Sequence, residues 1–540
     1  MLHSSFAAST DEVPTAKPLG TPAGSAAADP TDNLAGRWSV RTVDIWSVLK
    51  SQSSADGWLK NAALGSPRIS LSRELLHVLL APDGRLDPAL LSWTKSLQRA
   101  PETGKSSAGD IAIFLNYLHS HLGIEWRAAE RDDISSFLEW RAQEYSFRRR
   151  GEVRNGVSAG TIARNLASLN SMYGHAVDKG FIKASPIPRR REGSPAINAG
   201  KGQTISDVKW VTRRAFWRWR SEALLGQANA HNDSVLMMAG RNSSYADLLY
   251  STGMRRAEAA GLLTFEVAQR QSGNGLFRGR IPASLSKGKP ARGRLYYFGP
   301  QIRDVLVRYT EQDRAVEELH GIQSGLYEGI ENALIATRLH RLDGIAESIT
   351  YTDSTSGEVT ETALDKLALS DRRRLYSIDE NGARRPLFLW LGYGGGPMAT
   401  STWNDVFDAA NSRMARIQTQ EDSAGIILSN ESSIRIHPHM LRHSFALHAF
   451  ALAAMIELRR MGIENRRGLQ QLVSESNIWV RIQALLGHKD VETTRKIYLA
   501  PVQTIEWEWF ATAFDPHPRD LDAALTLIAQ TDSRVMDVDH

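Results

Sequence analysis

The chain of 540 residues contains no cysteine. Disulfide bonds, thiolate nucleophiles and cysteine-ligated metal sites are therefore excluded, and the composition is compatible with a reducing compartment. No apolar run reaches membrane-spanning length, since the best candidate, 445–456, is short and contains His448. The start of the chain lacks the basic-then-apolar order of a secretory signal. It is rich in Ala, Ser, Thr, Gly and Pro, so we expect residues 1–40 to form a disordered leader.

Positive charge is concentrated in one part of the chain. The formal net charge is only +5, but residues 141–220 hold 17 lysines and arginines against 5 acidic residues. A basic block in an otherwise mildly acidic chain is typical of a surface that binds phosphates. A solvated linker that merely tolerates arginines is the alternative interpretation.

Apolar residues recur at helical spacing through the first third of the chain. We interpret residues 41–90 as a helical N-terminal extension, because leucines and tryptophans there would form apolar stripes. Residues 91–185 carry three clearer helical patterns and are predicted to form one helical domain. These patterns begin at Ser106, Asp132 and Ser158. Residues 186–204 are predicted to be a basic linker, because their prolines and glycines stop helices.

A larger domain is predicted over residues 205–515. Residues 276–299 alternate like two short strands joined by a lysine-containing turn at 286–289. Residues 311–385 are interpreted as an insertion on this domain, and residues 516–540 as a C-terminal tail. The expected fold class is mainly α with a small antiparallel β-sheet (α+β).

Three separated segments carry arginines and histidines in short motifs. They are Gly253-Met254-Arg255-Arg256-Ala257-Glu258, His437-Pro438-His439-Met440-Leu441-Arg442-His443 and Leu485-Leu486-Gly487-His488. Arginine is always charged and its planar fork matches two phosphate oxygens, so Arg255 and Arg442 are candidates for binding a phosphate. His439 precedes Arg442 by three residues, which places both on one face of a helix. A neutral imidazole there can accept a proton.

A single late tyrosine, Tyr498, follows the last of these motifs and is the only tyrosine after Tyr393. A phenol has a pKa of about 10, so a nucleophilic tyrosine needs a neighbouring base and cationic groups. Taken alone, the H-x-x-R motif is commonplace, the Leu-Leu-Gly segment can be a packed helix end, and Tyr498 can be a buried aromatic. The histidines at 437, 439, 443 and 448 could ligate a metal. No carboxylate or cysteine has matching spacing, however, so we predict no metal site.

The order of these residues resembles the tyrosine recombinase (phage integrase) family over roughly residues 90–515. An arginine, a hairpin lysine, H-x-x-R, Leu-Gly-His and a tyrosine follow a helical domain in the family's order. The resemblance implies six catalytic residues, with Glu258 as an orienting partner: Arg255, Lys287, His439, Arg442, His488 and Tyr498. The arginines would hold the scissile phosphate, His488 would donate a hydrogen bond to it, and Tyr498 would be the nucleophile. Lys287 would protonate the leaving 5′-oxygen, with Lys289 as the alternative.

The resemblance implies site-specific DNA recombination. Strands would be cut and rejoined through a 3′-phosphotyrosine link, which stores the bond energy without metal, ATP or another cofactor. The implied partners are double-stranded DNA recombination sites, bound by a homodimer per site and a homotetramer in the synapse. Accessory recombination proteins are further candidates. We expect a cytoplasmic, nucleoid-associated protein of bacterial or phage origin that binds no membrane.

Two rival interpretations share these motifs. A topoisomerase IB-like or telomere-resolving enzyme would use the same groups on DNA. A DNA-binding protein of the same fold that has lost catalysis would keep the domains without the chemistry. The presence of all the motif residues argues against the second rival.

Arginines of the basic block are expected to contact DNA within a helical core-binding domain and the linker that follows it. These residues are Arg148, Arg149, Arg150, Arg154, Arg164, Arg189, Arg190 and Arg191. The first four are placed in a loop before the third predicted helix. One departure from the family concerns the step from His488 to Tyr498, which is ten residues where nine is more usual. On a helix the extra residue would turn the side chain by about 100°, so we place it in a bend at 493–496.

Overall fold

The computed structural model describes most of the chain in separate stretches. These are residues 36–44, 75–97, 101–143, 145–149, 152–187, 209–226, 238–267, 270–271, 275–288, 290–423, 434–461, 477–488, 490–492, 494–495 and 535–536. The described residues divide into two units, one that ends at residue 187 and one that begins at residue 209. The predicted leader lies outside the described residues except at 36–40, where the first strand begins.

The first unit is mainly helical. Its helices are α1 (Pro88–Ser96), α2 (Pro101–Tyr117), α3 (Arg131–Gln143) and α4 (Ala159–Asp178), with a π-helical turn at Leu118–Leu122. Its strands are β1 (Ser39–Asp44), β2 (Leu75–Leu80), β3 (Ser146–Arg149) and β4 (Glu152–Asn155). The side chains of Phe114, Phe137 and Tyr173 bring α2, α3 and α4 together, with ring centroids 5.1 and 6.3 Å from Phe114. The three predicted helical patterns are therefore confirmed as helices around one core.

The prediction of a helical extension over 41–90 is wrong at residues 41–44 and 75–80, which form strands. Strands β1 and β2 pair antiparallel, with Thr42 opposite His77 and a 3.0 Å hydrogen bond between their side chains. The segment Leu75–Leu80 is a short, almost continuous apolar run, and periodicity cannot distinguish a buried strand from a buried helix in such a run. The segment is a strand because it pairs with β1, which lies far away in the sequence.

The placement of Arg148, Arg149 and Arg154 in a loop is also wrong. Strands β3 and β4 form an antiparallel hairpin, and Arg148, Arg149 and Arg154 belong to its strands. Polar strands of four residues carry too little alternation to be recognised in the sequence. Helix α4 then begins where predicted, because the Ser158 side chain accepts a hydrogen bond from the Thr161 backbone N–H.

The second unit contains the residues of all the motifs. Its helices are α5 (Arg213–Arg218), α6 (Ala239–Thr252), α7 (Arg256–Ala260), α8 (Pro300–Glu311), α9 (Asp313–Gln323), α10 (Leu369–Arg372), α11 (Thr402–Ser423), α12 (Pro438–Met461) and α13 (Ile478–Leu486). A π-helical segment spans Trp219–Leu224, and short 3-10 turns lie at Thr264–Glu266, Ala283–Leu285 and Tyr393–Gly395. Its strands are β5 (Trp210–Val211), β6 (Arg270–Gln271), β7 (Phe277–Ile281), β8 (Arg294–Phe298), β9 (Leu334–Leu342), β10 (Ile345–Asp353), β11 (Val359–Ala363), β12 (Leu375–Ile378), β13 (Arg384–Pro386) and β14 (Val535–Met536).

The strands of this unit form small, mostly antiparallel sheets. Strands β7 and β8 pair as the predicted hairpin and are joined by β6 in a three-stranded sheet. A five-stranded sheet has the order β11-β10-β9-β12-β13, in which only the β9–β12 pair is parallel. Strand β14 pairs in parallel with β5. The prediction of a mainly α fold with small sheets is confirmed.

The segment 311–385, which we interpreted as an insertion, shares the core of the second unit. Leu334 and Ile349 of the five-stranded sheet are buried in the same hydrophobic cluster as Trp390 and Trp403. The sheet is therefore built into the unit rather than attached to its surface. In the part of the chain that the structure describes, no helix is both long and apolar enough to cross a bilayer.

Candidate active site

Arg255 lies at a tight junction between α6 and α7. Gly253 ends α6 with a φ of +62°, a conformation that glycine adopts most easily. A Cβ atom at this position would lie 2.3 Å from a ring carbon of Phe445, so the junction also packs closely against α12. Two independent constraints therefore require glycine just before the first motif arginine.

Glu258 is completely buried and binds Arg255 through both of its carboxylate oxygens. One carboxylate oxygen accepts the Arg255 backbone N–H at 2.8 Å, which caps α7. The other oxygen accepts an N–H of the Arg255 guanidinium at 2.8 Å. It also accepts the Ser286 hydroxyl of the β7–β8 turn at 3.3 Å. Glu258 is thus placed to orient Arg255, as the resemblance implies.

Arg294, which the sequence analysis did not select, is a third arginine in this cluster. It lies at the start of β8, and its guanidinium pairs with Glu258 at 2.8 Å. Burial alone would raise the pKa of Glu258, but Arg294, the Arg255 backbone N–H, the Arg255 guanidinium and Arg442 together lower it. The carboxylate therefore stays ionised. A single arginine in a strand belongs to no motif, so no sequence signal pointed to Arg294.

Helix α12 begins at Pro438 and carries His439 and Arg442 one turn apart, as predicted. The Arg442 side chain is almost fully buried, and it donates to the carbonyl oxygen of Gly253 at 2.6 Å. His439 is exposed at the surface. Its ring packs edge-to-face against His443, with centroids 4.3 Å apart.

The C-terminal end of α13 is bound by all three arginines. Arg294 donates to the carbonyl oxygen of Leu485, Arg442 to that of Leu486, and Arg255 to that of Gly487 at 3.2 Å. The last carbonyls of a helix have no partner within the helix and carry partial negative charge, so they attract cations. This end of α13 therefore holds the three guanidinium groups together and places His488 beside them.

Gly487 ends α13 in the left-handed conformation, with a φ of +64°. A Cβ atom there would lie 2.7 Å from the Arg294 side chain. His488 follows immediately, and its ring Nδ1 lies 2.8 Å from the hydroxyl oxygen of Thr494. The backbone N–H of His488 also donates to the carbonyl oxygen of Gln483 at 3.3 Å. These contacts give the ring a defined orientation.

The histidines of the cluster are neutral near pH 7. Burial, with the positive charges of Arg442, Arg255 and Arg294, lowers the pKa of His488 to about 4. Burial and neighbouring charges lower the pKa of His443 to about 3. His439 keeps an exposed edge, yet desolvation of the rest of the ring and nearby cations lower its pKa as well. A neutral His439 can accept a proton.

Lys287 lies exposed in the turn between β7 and β8. Its charge is one of those that lower the pKa of His439, so the lysine lies within electrostatic reach of that ring. The neighbouring Ser286, through its bond to Glu258, fastens the turn to the arginine cluster. Lys289, the alternative candidate, lies outside the described residues.

Several predicted residues cannot be placed in this cluster. Tyr498, Arg150 and Arg189 to Arg191 lie outside the described residues. Residues 491, 492, 494 and 495 are helical, so the part of the proposed bend that the structure describes is helix. In the first unit, Arg164 forms a bidentate ion pair with the buried Asp110, with N···O distances of 3.0 and 3.1 Å. Its charge is therefore already partly balanced.

The cluster presents fixed positive charge beside neutral imidazoles. Such an arrangement can bind a phosphate and stabilise the negative charge that develops during its transfer. Among the described residues, no three histidine or carboxylate side chains come together in a way that could hold a metal ion.

Comparison by sequence finds bacterial relatives that are tyrosine recombinases. The chain is 27% identical over 187 residues to tyrosine recombinase XerC of Mesorhizobium japonicum, covering 34% of this chain and 54% of the relative. It is 28% identical over 232 residues to XerC of Pseudomonas syringae, covering 40% and 62%. It is 24% identical over 424 residues to tyrosine recombinase XerD of Mycobacterium leprae, covering 78% and 92%. The chain thus spans only about half to three fifths of the two XerC relatives.

Comparison by structure finds DNA complexes of recombinases at low similarity. The XerH site-specific recombinase bound to palindromic difH substrate aligns with a TM-score of 0.38 and 13% identity, covering 86% of this chain and 93% of that one. The Tn1549 transposon integrase with circular intermediate DNA aligns with a TM-score of 0.35 and 12% identity, covering 75% and 93%. No family model matches the chain.

Proposed function

We propose that the chain is a tyrosine recombinase that cuts and rejoins DNA strands at specific sites through a 3′-phosphotyrosine intermediate, in line with its sequence similarity to XerC and XerD. Tyr498 attacks the scissile phosphate, its oxygen forms a bond to phosphorus, and the bond to the 5′-oxygen breaks. The 5′-hydroxyl of a partner strand later reverses the step. No net hydrolysis occurs, so the chemistry itself needs no ATP.

Arg255 and Arg442 hold the non-bridging oxygens of the phosphate in this proposal. A guanidinium carries five N–H donors, so the bonds to backbone carbonyls occupy only part of its capacity. Fixed donors of this kind stabilise the charge that develops in the transition state without having to reorganise. Glu258 keeps Arg255 in place, because it binds both the backbone and the guanidinium of that residue.

The remaining groups accept protons, donate hydrogen bonds or deliver a proton. Neutral His439 accepts the phenolic proton of Tyr498 or donates a hydrogen bond to a phosphate oxygen, and His488 donates a hydrogen bond to the phosphate. Lys287 delivers a proton to the departing 5′-oxygen, which an exposed side chain on a turn can reach. The roles of His439 and His488 use neutral rings, in line with the lowered pKa of both residues.

We propose double-stranded recombination sites as the substrate, bound by a homodimer per site and by a homotetramer in the synapse. The arginine-bearing hairpin β3–β4 is the proposed DNA contact of the first unit, together with Arg164 and the basic linker arginines 189–191. Phosphate contacts of this kind give affinity that falls steeply with salt.

The observation that carries the proposal is the arginine cluster at the end of α13. Three arginines from separate segments converge on three consecutive carbonyls, and the next residue is the motif histidine His488. A merely structural helix end needs one cap. Convergence of this much positive charge beside neutral histidines suits a phosphate-transfer site.

The test uses the full chain and nicked DNA duplexes that tile the sequences flanking its gene. A nick lets the short cleaved strand diffuse away, so the covalent protein–DNA adduct accumulates and survives denaturing electrophoresis. We expect adducts with the unaltered chain and none with Tyr498→Phe. Adducts that persist in Tyr498→Phe would overturn the assignment of the nucleophile.

The rivals give different products in the same assay. A topoisomerase-like enzyme would relax supercoiled plasmid without exchanging strands between two sites. A catalytically silent DNA-binding protein would shift the duplexes on a native gel but form no adduct. Strand exchange between two duplexes that carry the site supports a recombinase.

A further inference from the structure

The side chain of Thr494 connects His488 to the chain segment that leads to Tyr498. Thr494 is completely buried, and its hydroxyl oxygen lies 2.8 Å from Nδ1 of His488. It lies in a helical stretch and precedes Tyr498 by four residues. A single hydrogen bond therefore joins the histidine beside the arginine cluster to the segment that carries the proposed nucleophile.

The direction of this hydrogen bond is set by the tautomer of the His488 ring. The Thr494 hydroxyl has one hydrogen and two nearby acceptors, His488 Nδ1 at 2.8 Å and the Asp490 carbonyl oxygen at 3.5 Å. Hydroxyl hydrogen bonds are strongest near about 2.7–2.8 Å and weaken quickly beyond about 3 Å. The hydroxyl can donate its one hydrogen to Nδ1, the nearer of the two acceptors, when that nitrogen carries no hydrogen.

The donor role of the other ring nitrogen then depends on Thr494. A neutral imidazole has one N–H, so a ring that accepts at Nδ1 carries its hydrogen on Nε2. His488 is neutral near pH 7, because burial and the surrounding arginines disfavour the charged ring. An isolated neutral histidine could exchange between two tautomers and rotate. A buried threonine, whose branched side chain has restricted χ1 rotation, removes that freedom.

We propose that Thr494 is a positioning residue whose hydroxyl fixes the ring orientation and tautomer in which His488 presents its Nε2–H to the DNA phosphate. This role rests on the proposed function, since it specifies how one of the proposed phosphate ligands works. Thr494 itself touches no DNA. The same bond ties the orientation of the ring to the segment that delivers Tyr498.

The first test compares two substitutions at this position. Thr494→Val keeps the shape and removes the hydroxyl, whereas Thr494→Ser keeps the hydroxyl and removes a methyl group. We expect Thr494→Val to slow formation of the covalent adduct on the nicked duplex by on the order of tenfold, the effect of losing about one hydrogen bond that orients a reacting group. Thr494→Ser should stay close to the unaltered rate. Equal rates for the two variants would overturn the proposal.

A double-mutant cycle separates this role from a general structural one. In a His488→Ala background the Thr494 hydroxyl has no ring to position. Thr494→Val should therefore cause no further loss of rate there, although it slows the otherwise unaltered chain. The same loss in both backgrounds would show that Thr494 acts independently of His488, which contradicts the proposal.

A spectroscopic readout needs no DNA. The full chain is labelled with ¹⁵N-histidine, and the ring signals of His488 are identified as those absent from His488→Ala. We expect protonated Nε2 with Nδ1 as acceptor, and a shift of that Nδ1 signal in Thr494→Val but not in Thr494→Ser. Protonated Nδ1 in the unaltered chain would overturn the proposal. If the His488 ring signals are as expected but the chain forms no adduct, the role of Thr494 in orienting His488 would be supported and the proposed function would be contradicted.

Discussion

At the scale of single residues, Glu258 is the centre of the site. Its two carboxylate oxygens bind Arg255 twice, Arg294 once and Ser286 once, while the residue itself is fully buried. A buried charge with good partners is costly to disturb, because removing one partner leaves the other uncompensated. Arg294 is therefore an important partner of Glu258, although it belongs to no sequence motif.

Arg294→Met tests this importance. We expect it to lower the free energy of unfolding by about 3 kcal/mol, as expected when a buried ion pair loses one partner. Adduct formation should also slow, because the Leu485 carbonyl and Glu258 both lose a donor. The measurement is urea unfolding together with the adduct assay. Arg292→Met removes the same charge from an exposed position two residues away and serves as the control. Equal effects of the two substitutions would contradict the account.

The neutral histidines predict a dependence of stability on pH. His488 and His443 have pKa values of about 4 and 3 when folded, against about 6.5 in an unfolded chain. As the pH falls below about 6.5, the unfolded chain binds protons that the folded chain does not. The part of the free energy of unfolding that comes from these neutral rings should therefore be fully present above about pH 6.5 and should decrease towards pH 4.

Thermal melts of the full chain at pH 7.5, 6 and 5 measure this trend. We expect Tm to fall at each step, and to fall less in His443→Asn, which removes one of the titrating groups. A Tm that stays constant or rises from pH 7.5 to pH 5 would show that these rings are not held neutral.

At the scale of elements, tight junctions bring the motif residues together. Gly253 between α6 and α7 has a positive φ and is in close approach to Phe445 of α12. Helices α2, α3 and α4 and the β7–β8 hairpin could be predicted from the sequence, because their apolar periods of 3.6 and 2 are local signals. It missed β1–β2, the hairpin β3–β4 and the role of Arg294, because each depends on a partner that a local pattern does not reveal.

Gly253→Ala tests the junction. The added Cβ would meet the Phe445 ring, so we expect a loss of about 1–3 kcal/mol from overpacking, in addition to the cost of the left-handed backbone. Gly325→Ala is the matched control, since Gly325 has a φ of +68° but nothing within 4 Å of the added atom. Both variants pay the cost of the left-handed backbone, so the difference between their free energies of unfolding measures the steric cost of the contact with Phe445. Losses of the same size would mean that the contact with Phe445 relaxes without cost.

At the scale of the whole molecule, the region 311–385 belongs to the body of the second unit. Its five-stranded sheet buries Leu334, Ala346 and Ile349 in the main hydrophobic cluster. In the sequence we interpreted this region as an insertion on the domain. Burial of the sheet indicates that the core of the unit depends on it.

Ile349→Ala should therefore cost about 2–5 kcal/mol, the usual loss when a large aliphatic side chain is truncated in a core. Val359→Ala on the edge strand of the same sheet is the control, because Val359 is 64% exposed. Urea unfolding, monitored by tryptophan fluorescence, measures the free energy of unfolding of both variants, since Trp390 and Trp403 lie in the affected cluster. Similar small losses would indicate that the sheet is an appendage.

The central claim is that one late tyrosine attacks DNA at the arginine cluster. The most direct measurement digests the covalent adduct with protease and nuclease and identifies the modified peptide by mass spectrometry. The account predicts a 3′-nucleotide on the phenolic oxygen of Tyr498, and loss of that peptide in Arg255→Ala. A nucleotide on any other residue, or an adduct that forms undiminished in Arg255→Ala, would contradict it.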